Sequence, residues 1–135
     1  MVDPQLHRFV DQKRIRAAIL RAEKSTDAAI SVSIAPHVEG DMHSAAMRSL
    51  HTRRPAGARG RSAVHFFVVP SRREFAVVGD ASAHERLGQE TWDAIAAIVE
   101  KYFRQGDPTG GLEAGIEEAG GHLARHFPRK SARAL

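Results

Sequence analysis

The sequence predicts an α/β protein, a three-layer α/β/α sandwich with a small mixed β-sheet flanked by helices. Three observations lead there. The central stretch AVHFFVVPSRREFAVVGD, Ala63 to Asp80, holds two runs rich in β-branched and aromatic residues, separated by the turn-forming Pro70-Ser71-Arg72-Arg73. The first of these runs is apolar at nearly every position, so helices are expected to cover that strand on both faces. An alternating strand lies upstream, one short helix away, a separation that suits a parallel pair joined by a right-handed crossover.

The composition fits that class. A chain of 135 residues is the size of one domain with a real core, and 42% hydrophobic with 27% charged residues is ordinary for a globular protein. The net charge of +4 tolerates polyanions without demanding them, because a nucleic-acid binder concentrates its charge on one face. The absence of cysteine excludes disulfides, thiolate metal sites and cysteine nucleophiles. MVDPQLHRFV lacks the apolar core and cleavage site of a secretory signal. The apolar runs fall far short of the roughly 18 residues of a membrane helix. A cytoplasmic protein with no membrane span is expected.

Residues 1–10 read as a lead-in, 11–128 as the single domain, and 129–135 as a basic tail. From Asp11 to about Lys24, the apolar residues Ile15, Ala18, Ile19 and Ala22 recur with helical period, and Ser25-Thr26-Asp27 ends the helix. Ala29 to Ala35 alternates as a strand, with Ile30, Val32 and Ile34 on one face and Ser31 and Ser33 on the other. Asp41 caps a second helix of about ten residues, with Met42, Ala45, Ala46 and Leu50 inward. HTRRPAGARGRS follows and is expected to be a solvated loop; its arginines, Arg53, Arg54, Arg59 and Arg61, give it phosphate contact as an alternative.

After the hairpin, Ala81 to Gly88 reads as a connecting turn with about one turn of helix. Gln89 to Phe103 carries the clearest apolar stripe, through Trp92, Ile95, Ala96, Val99, Tyr102 and Phe103. Gly106 is a left-handed helix end, and Asp107-Pro108 reads as N-cap and first residue of the last helix. That helix turns Leu112, Gly115, Ile116, Ala119 and Leu123 inward and closes at Phe127-Pro128.

Chemistry-bearing motifs are sparse. No glycine-rich phosphate loop or serine nucleophile elbow occurs. His122 and His126 stand four apart on one helical face, a zinc-compatible spacing, but without a third ligand nearby the helix-end reading is preferred. His65 is expected to be a packed, hydrogen-bonded core residue. The turn Gly79-Asp80-Ala81-Ser82-Ala83-His84-Glu85 gathers Asp80, His84 and Glu85 at a strand end, where α/β folds tend to place their sites. Asp80 and Glu85 could supply oxygen to a hard cation such as calcium or magnesium; the plainer reading makes Asp80 a turn cap.

Val69-Pro70 with the basic turn, FAVVGD, HERLGQETWDAI and FRQGDPTGGLEAGIEEAGGHL resemble a TPM domain of a short, divergent bacterial type, from the helix before Ser25-Thr26 to Phe127. The family is named for a thylakoid-lumen phosphatase, a photosystem-associated protein and a nematode receptor modulator. The resemblance implies an α/β/α sandwich with a mixed sheet. It also implies, for some members, acid phosphatase activity or calcium held by acidic loop residues at the top of the sheet. This chain departs from that pattern. Asp27-Ala28-Ala29 stands where members carry Ser-Gly-Glu, Arg61 and Ser62 where they carry Asp or Asn, and Leu87-Gly88-Gln89 where they carry Leu-Thr-Asp.

The expectation is therefore a TPM-like binding or accessory module without a resident cofactor, its activity as an enzyme left open. Candidate ligand-binding residues are Arg61, Ser62, Gly79, Asp80, His84, Glu85 and Gln89. The expected partner is another protein or a phosphate-bearing small molecule rather than nucleic acid. The alternative is a weak metal-dependent phosphatase with Asp80 and Glu85 on the cation.

Overall fold

The computed structural model describes residues 9–53 and 62–130. Helix α1 (Gln12–Glu23) leads into strand β1 (Ala29–Ile34), and α2 (Met42–Arg53) follows. Strands β2 (Ala63–Val69) and β3 (Glu74–Gly79) form the central hairpin, and α3 (Ala81–Leu87), α4 (Gln89–Arg104) and α5 (Pro108–His126) complete the chain. The sheet order is β1-β2-β3, with β1 parallel and β3 antiparallel to β2. The predicted α/β class and mixed sheet are both present.

Side-chain alternation assigns the two faces. Val64, Phe66 and Val68 of β2, with Ile30 and Ile34 of β1, join a core built from α1, α4 and α5, which includes Ile15, Trp92, Ile95, Val99, Leu112 and Ile116. Ala63, Phe67 and Val69 with Ala29 join the second cluster, against Ala45, Ala46 and Leu50 of α2. Every residue of β2 is buried, as its unbroken apolar run requires. The central strand is thus covered on both faces, which makes the three layers.

Several boundaries match their sequence signals. Asp11 accepts from the backbone N–H groups of Lys13 and Arg14, and Asp107 from that of Gly110, each as an N-cap. Gly106 takes a φ of +78°, the left-handed value expected after α4. The hairpin turn is a 3₁₀ segment, Pro70–Arg72, followed by Arg73 at φ +54°.

Two boundaries differ. Helix α2 runs through His51, Thr52 and Arg53, which the sequence reading gave to the arginine-rich loop. Nothing in that tripeptide breaks a helix, and the Thr52 hydroxyl returns a hydrogen bond to the Arg48 carbonyl at 2.9 Å. Helix α3 is seven residues long rather than a single turn. Asp80 caps its start, and Gly88 at φ +81° is the only residue between it and α4. A side chain at that φ would be strained, so glycine allows two helices to meet across one residue.

Candidate functional site

The backbone brings the starts of β1 and β2 and the end of β3 to one edge of the sandwich. Ala29 N–H donates to the Ser62 carbonyl at 2.8 Å, and Asp80 N–H donates to the Ala63 carbonyl at 3.1 Å. Ser62 and Asp80 therefore flank the central strand at the same end. The site lies at the carboxyl end of β3 but at the amino ends of the parallel pair, so the usual rule for parallel sheets holds only for the hairpin strand.

Asp80 sits where an extended strand turns into a helix. Its Oδ1 accepts the Ala83 N–H at 2.9 Å, and its carbonyl accepts the His84 N–H at 2.8 Å. The carboxylate thus satisfies one of the orphan donors of α3, the turn-cap role. Gly79 is there because Trp92 fills the space a side chain would need. A Cβ on Gly79 would stand 2.8 Å from Trp92 Cη2 and 3.0 Å from the Ala83 Cβ. Trp92 in turn donates its Nε1–H to the His84 carbonyl at 3.2 Å, and the His84 ring stacks on the indole with centroids 6.3 Å apart. One tryptophan from α4 therefore fixes the strand end, the short helix and the candidate histidine together.

The remaining candidates are more dispersed. His84 and Glu85 are exposed on α3, and Gln89 is exposed at the start of α4, where its amide donates to Asp93 Oδ1 at 2.9 Å. Arg61 lies outside the described residues, as do Arg54 and Arg59. Asp27, just before β1, accepts the Lys130 N–H at 3.2 Å and so ties down the segment after α5. Among the described residues no three His, Asp or Glu side chains gather as a metal site would require. His122 uses Nε2 toward Glu118 Oε2 at 3.0 Å and faces Arg125 Nη2 with Nδ1 at 2.8 Å, so its ring is engaged along α5 rather than paired with His126.

A polar string on the α2 face is the feature the sequence reading did not assemble. His65, fully buried, has Nδ1 2.6 Å from Ser31 Oγ and Nε2 2.9 Å from Ser49 Oγ, and Ser49 donates to Ser33 Oγ at 3.0 Å. Because the single Ser49 proton goes to Ser33, Ser49 accepts from Nε2–H. Nδ1 is then the acceptor for the Ser31 hydroxyl. His65 is a hydrogen-bonded core residue, as expected. The signal was present in part: Ser31 and Ser33 alternate onto one face, and the parallel register sets Ser31 beside His65. Ser49 is brought in only by the packing of α2.

The TPM domain family model matches residues 8–122. Among solved structures, the chain is similar to the BA42 protein from the psychrophilic bacterium Bizionia argentinensis, at 29% identity and a TM-score of 0.80, over 93% of this chain and 89% of that one. It also shares its fold with the N-terminal domain of the cg2496 protein from Corynebacterium glutamicum, at 18% identity and a TM-score of 0.65, over 91% and 74% of the two chains. Among curated proteins none matches. Among the described residues no helix is long and apolar enough to cross a membrane. With the family model spanning most of its length and the sandwich in place, the chain belongs to the TPM domain family.

Proposed function

We propose that this chain is a non-catalytic binding or accessory module. On this reading it meets another protein, or a phosphate-bearing small molecule, through the strand-end surface of Ser62, Asp80, His84 and Glu85. The observation that carries the reading is the employment of Asp80. Its carboxylate caps α3 through the Ala83 N–H, while Glu85 is exposed on that helix and Gln89 stands bonded to Asp93. A hard cation held by protein is usually surrounded by several oxygens, with carboxylates prominent among them. The replacement of family acids by Ser62 and Gln89 supports the same reading. A cytoplasmic location is part of it.

The runner-up is a weak divalent-dependent phosphatase, favoured by the retained Gly79-Asp80 at the sheet end. Hydrolysis of para-nitrophenyl phosphate, with calcium, magnesium or a chelator present, separates the two. The binding-module reading expects a rate no greater than the buffer blank in all three conditions. Turnover that needs the divalent ion and disappears in Asp80→Asn would contradict it. Asparagine is the informative replacement because it caps a helix as well as aspartate does, so lost activity would not simply reflect a lost cap.

A further inference from the structure

Strand β1 lies at an edge of the sheet, and the parity of its hydrogen bonds shows which groups it leaves outward. Ala29 N–H donates to Ser62 O and Ala35 N–H to Val68 O, so the odd-numbered amides face β2. The amides of Ile30, Val32 and Ile34 face away. That of Ile30 is taken by Glu23 Oε2 at 2.8 Å. Among the described residues nothing pairs with the amides of Val32 and Ile34. Pro36 has no N–H to offer, so the open stretch runs from Ser31 to Ala35.

Beside this open backbone lies an apolar groove of about 230 Å³, lined by Val10, Ile15, Ile19, Leu20, Val32 and Ile34, with Gln12 and Arg16 adding polar groups. Leu20 is 58% exposed and is the one large apolar side chain left exposed among the described residues. Natural proteins generally blunt an open edge with charge, proline or a covering element. Among the described residues only Ile30 of this edge is covered by a charged group, and the exposed Leu20 stands alongside.

We infer that this edge is a strand-addition site for a short extended segment of another protein, apolar at alternate residues and carrying an acidic side chain to meet Arg16. Added strands take affinity from main-chain bonds and specificity from every second side chain. Those side chains would lie over Ile19, Leu20, Val32 and Ile34. The charge requirement comes from α1, which carries Lys13, Arg14, Arg16 and Arg21 against the single acid Glu23. Glu23 is committed to Ile30, and Arg14 already forms a two-point pair with Glu113. A second copy of this chain would bring a like-charged rim, so an acidic partner is favoured over self-pairing. The surface shares no residue with Ser62, Asp80, His84 and Glu85 and does not depend on the strand-end reading.

The test uses the whole chain and a capped synthetic peptide, Thr-Val-Thr-Val-Thr-Asp, in which the aspartate shares a face with the valines, with Thr-Val-Thr-Val-Thr-Lys as control. Two-dimensional amide spectra and hydrogen exchange should show shifts and slowed exchange at Val32 and Ile34, and shifts at Leu20, with the aspartate peptide. Leu20→Asp, at an exposed position that leaves the core intact, should weaken binding about tenfold through lost apolar burial. Arg16→Glu should shift the preference toward the lysine peptide by roughly threefold in each affinity. Peptide binding that leaves Val32 and Ile34 unchanged, or no binding at all, overturns the inference. So does slow exchange of these two amides without peptide. If it rises with protein concentration, a second copy fills the edge; if it does not, the chain's own residues do.

Discussion

On one face of the sheet, Val64 and Phe66 share a continuous apolar core with Ile95, Val99, Leu112 and Ile116. On the other, small residues of α2 lie over Ala63, Phe67 and Val69, and a string of Ser31, His65, Ser49 and Ser33 runs through the layer. The first face is stabilised by area and tolerates no gaps. Gly115 shows how close the packing is, since a Cβ there would lie 2.6 Å from Val99 Cγ2 and 3.0 Å from Phe66 Cε2. The second face contributes less apolar area but more direction. A hydrogen-bonded string has one satisfied arrangement, and each member left unpaired in the interior carries a desolvation penalty. The difference teaches that the helices near the candidate site are set by packing, whereas the position of α2 is set partly by polar matching.

The sharpest break of this comparison is Phe66→Ala. It removes a large side chain at 1% exposure from the apolar face, and chemical denaturation should record a loss of about 3–5 kcal/mol. On the polar face, His65→Leu should destabilise by about 1–3 kcal/mol, because the half-buried Ser31 and Ser49 lose their ring partner. Adding Ser31→Ala, Ser33→Ala and Ser49→Ala to that variant, so that no member of the string is left unpartnered, should recover most of the loss. Failure to recover would mean that the string is held for its shape and not for its hydrogen bonds.

At the sheet end, Asp80→Ala should destabilise by about 1 kcal/mol and loosen the amides of Ala81 to His84 in hydrogen exchange, while Asp80→Asn should do neither. The smallest expected effect is electrostatic. The Ser44 N–H bonded to Asp41 holds that exposed carboxyl below the usual carboxylate range. A lowered folded-state value means that the cap contributes fully above the ordinary carboxylate range and is lost as the pH falls through the lowered value. Amide exchange at Ser44 and Ala45 should therefore accelerate, at constant intrinsic rate, only in strongly acidic solution.

These two faces also show how much was legible in the sequence. The unbroken run of β2 announced burial on both sides, and the stripe from Trp92 to Phe103 announced α4. Asp107-Pro108 marked a helix start by local chemistry alone. What stayed hidden depends on residues far apart in the chain. Helix α3 has too short and too polar a pattern to read as two turns, and its support comes from Trp92 on the next helix. Thr26 read only as a helix stop. It is fully buried, and its hydroxyl lies 2.6 Å from the carbonyl of Phe127, which ties the connection between α1 and β1 to the end of α5. At the candidate site, the turn 79–85 was identifiable from Gly-Asp after a strand. The use of the Asp80 carboxylate in a cap, and the packing of Trp92 on Gly79, needed the third dimension.

The central claim, a TPM sandwich serving as a binding module rather than a cation-dependent hydrolase, is tested most directly by one titration. Labelled protein would receive calcium, then magnesium, then inorganic phosphate, while its two-dimensional amide spectrum is followed. The account predicts that neither divalent ion produces saturable shifts confined to Ser62, Gly79 to Glu85 and Gln89, and that any response of these amides to phosphate does not depend on the ion. Saturable shifts at those amides with a divalent ion, strengthened by phosphate, would contradict it and would identify the residues that hold the ion.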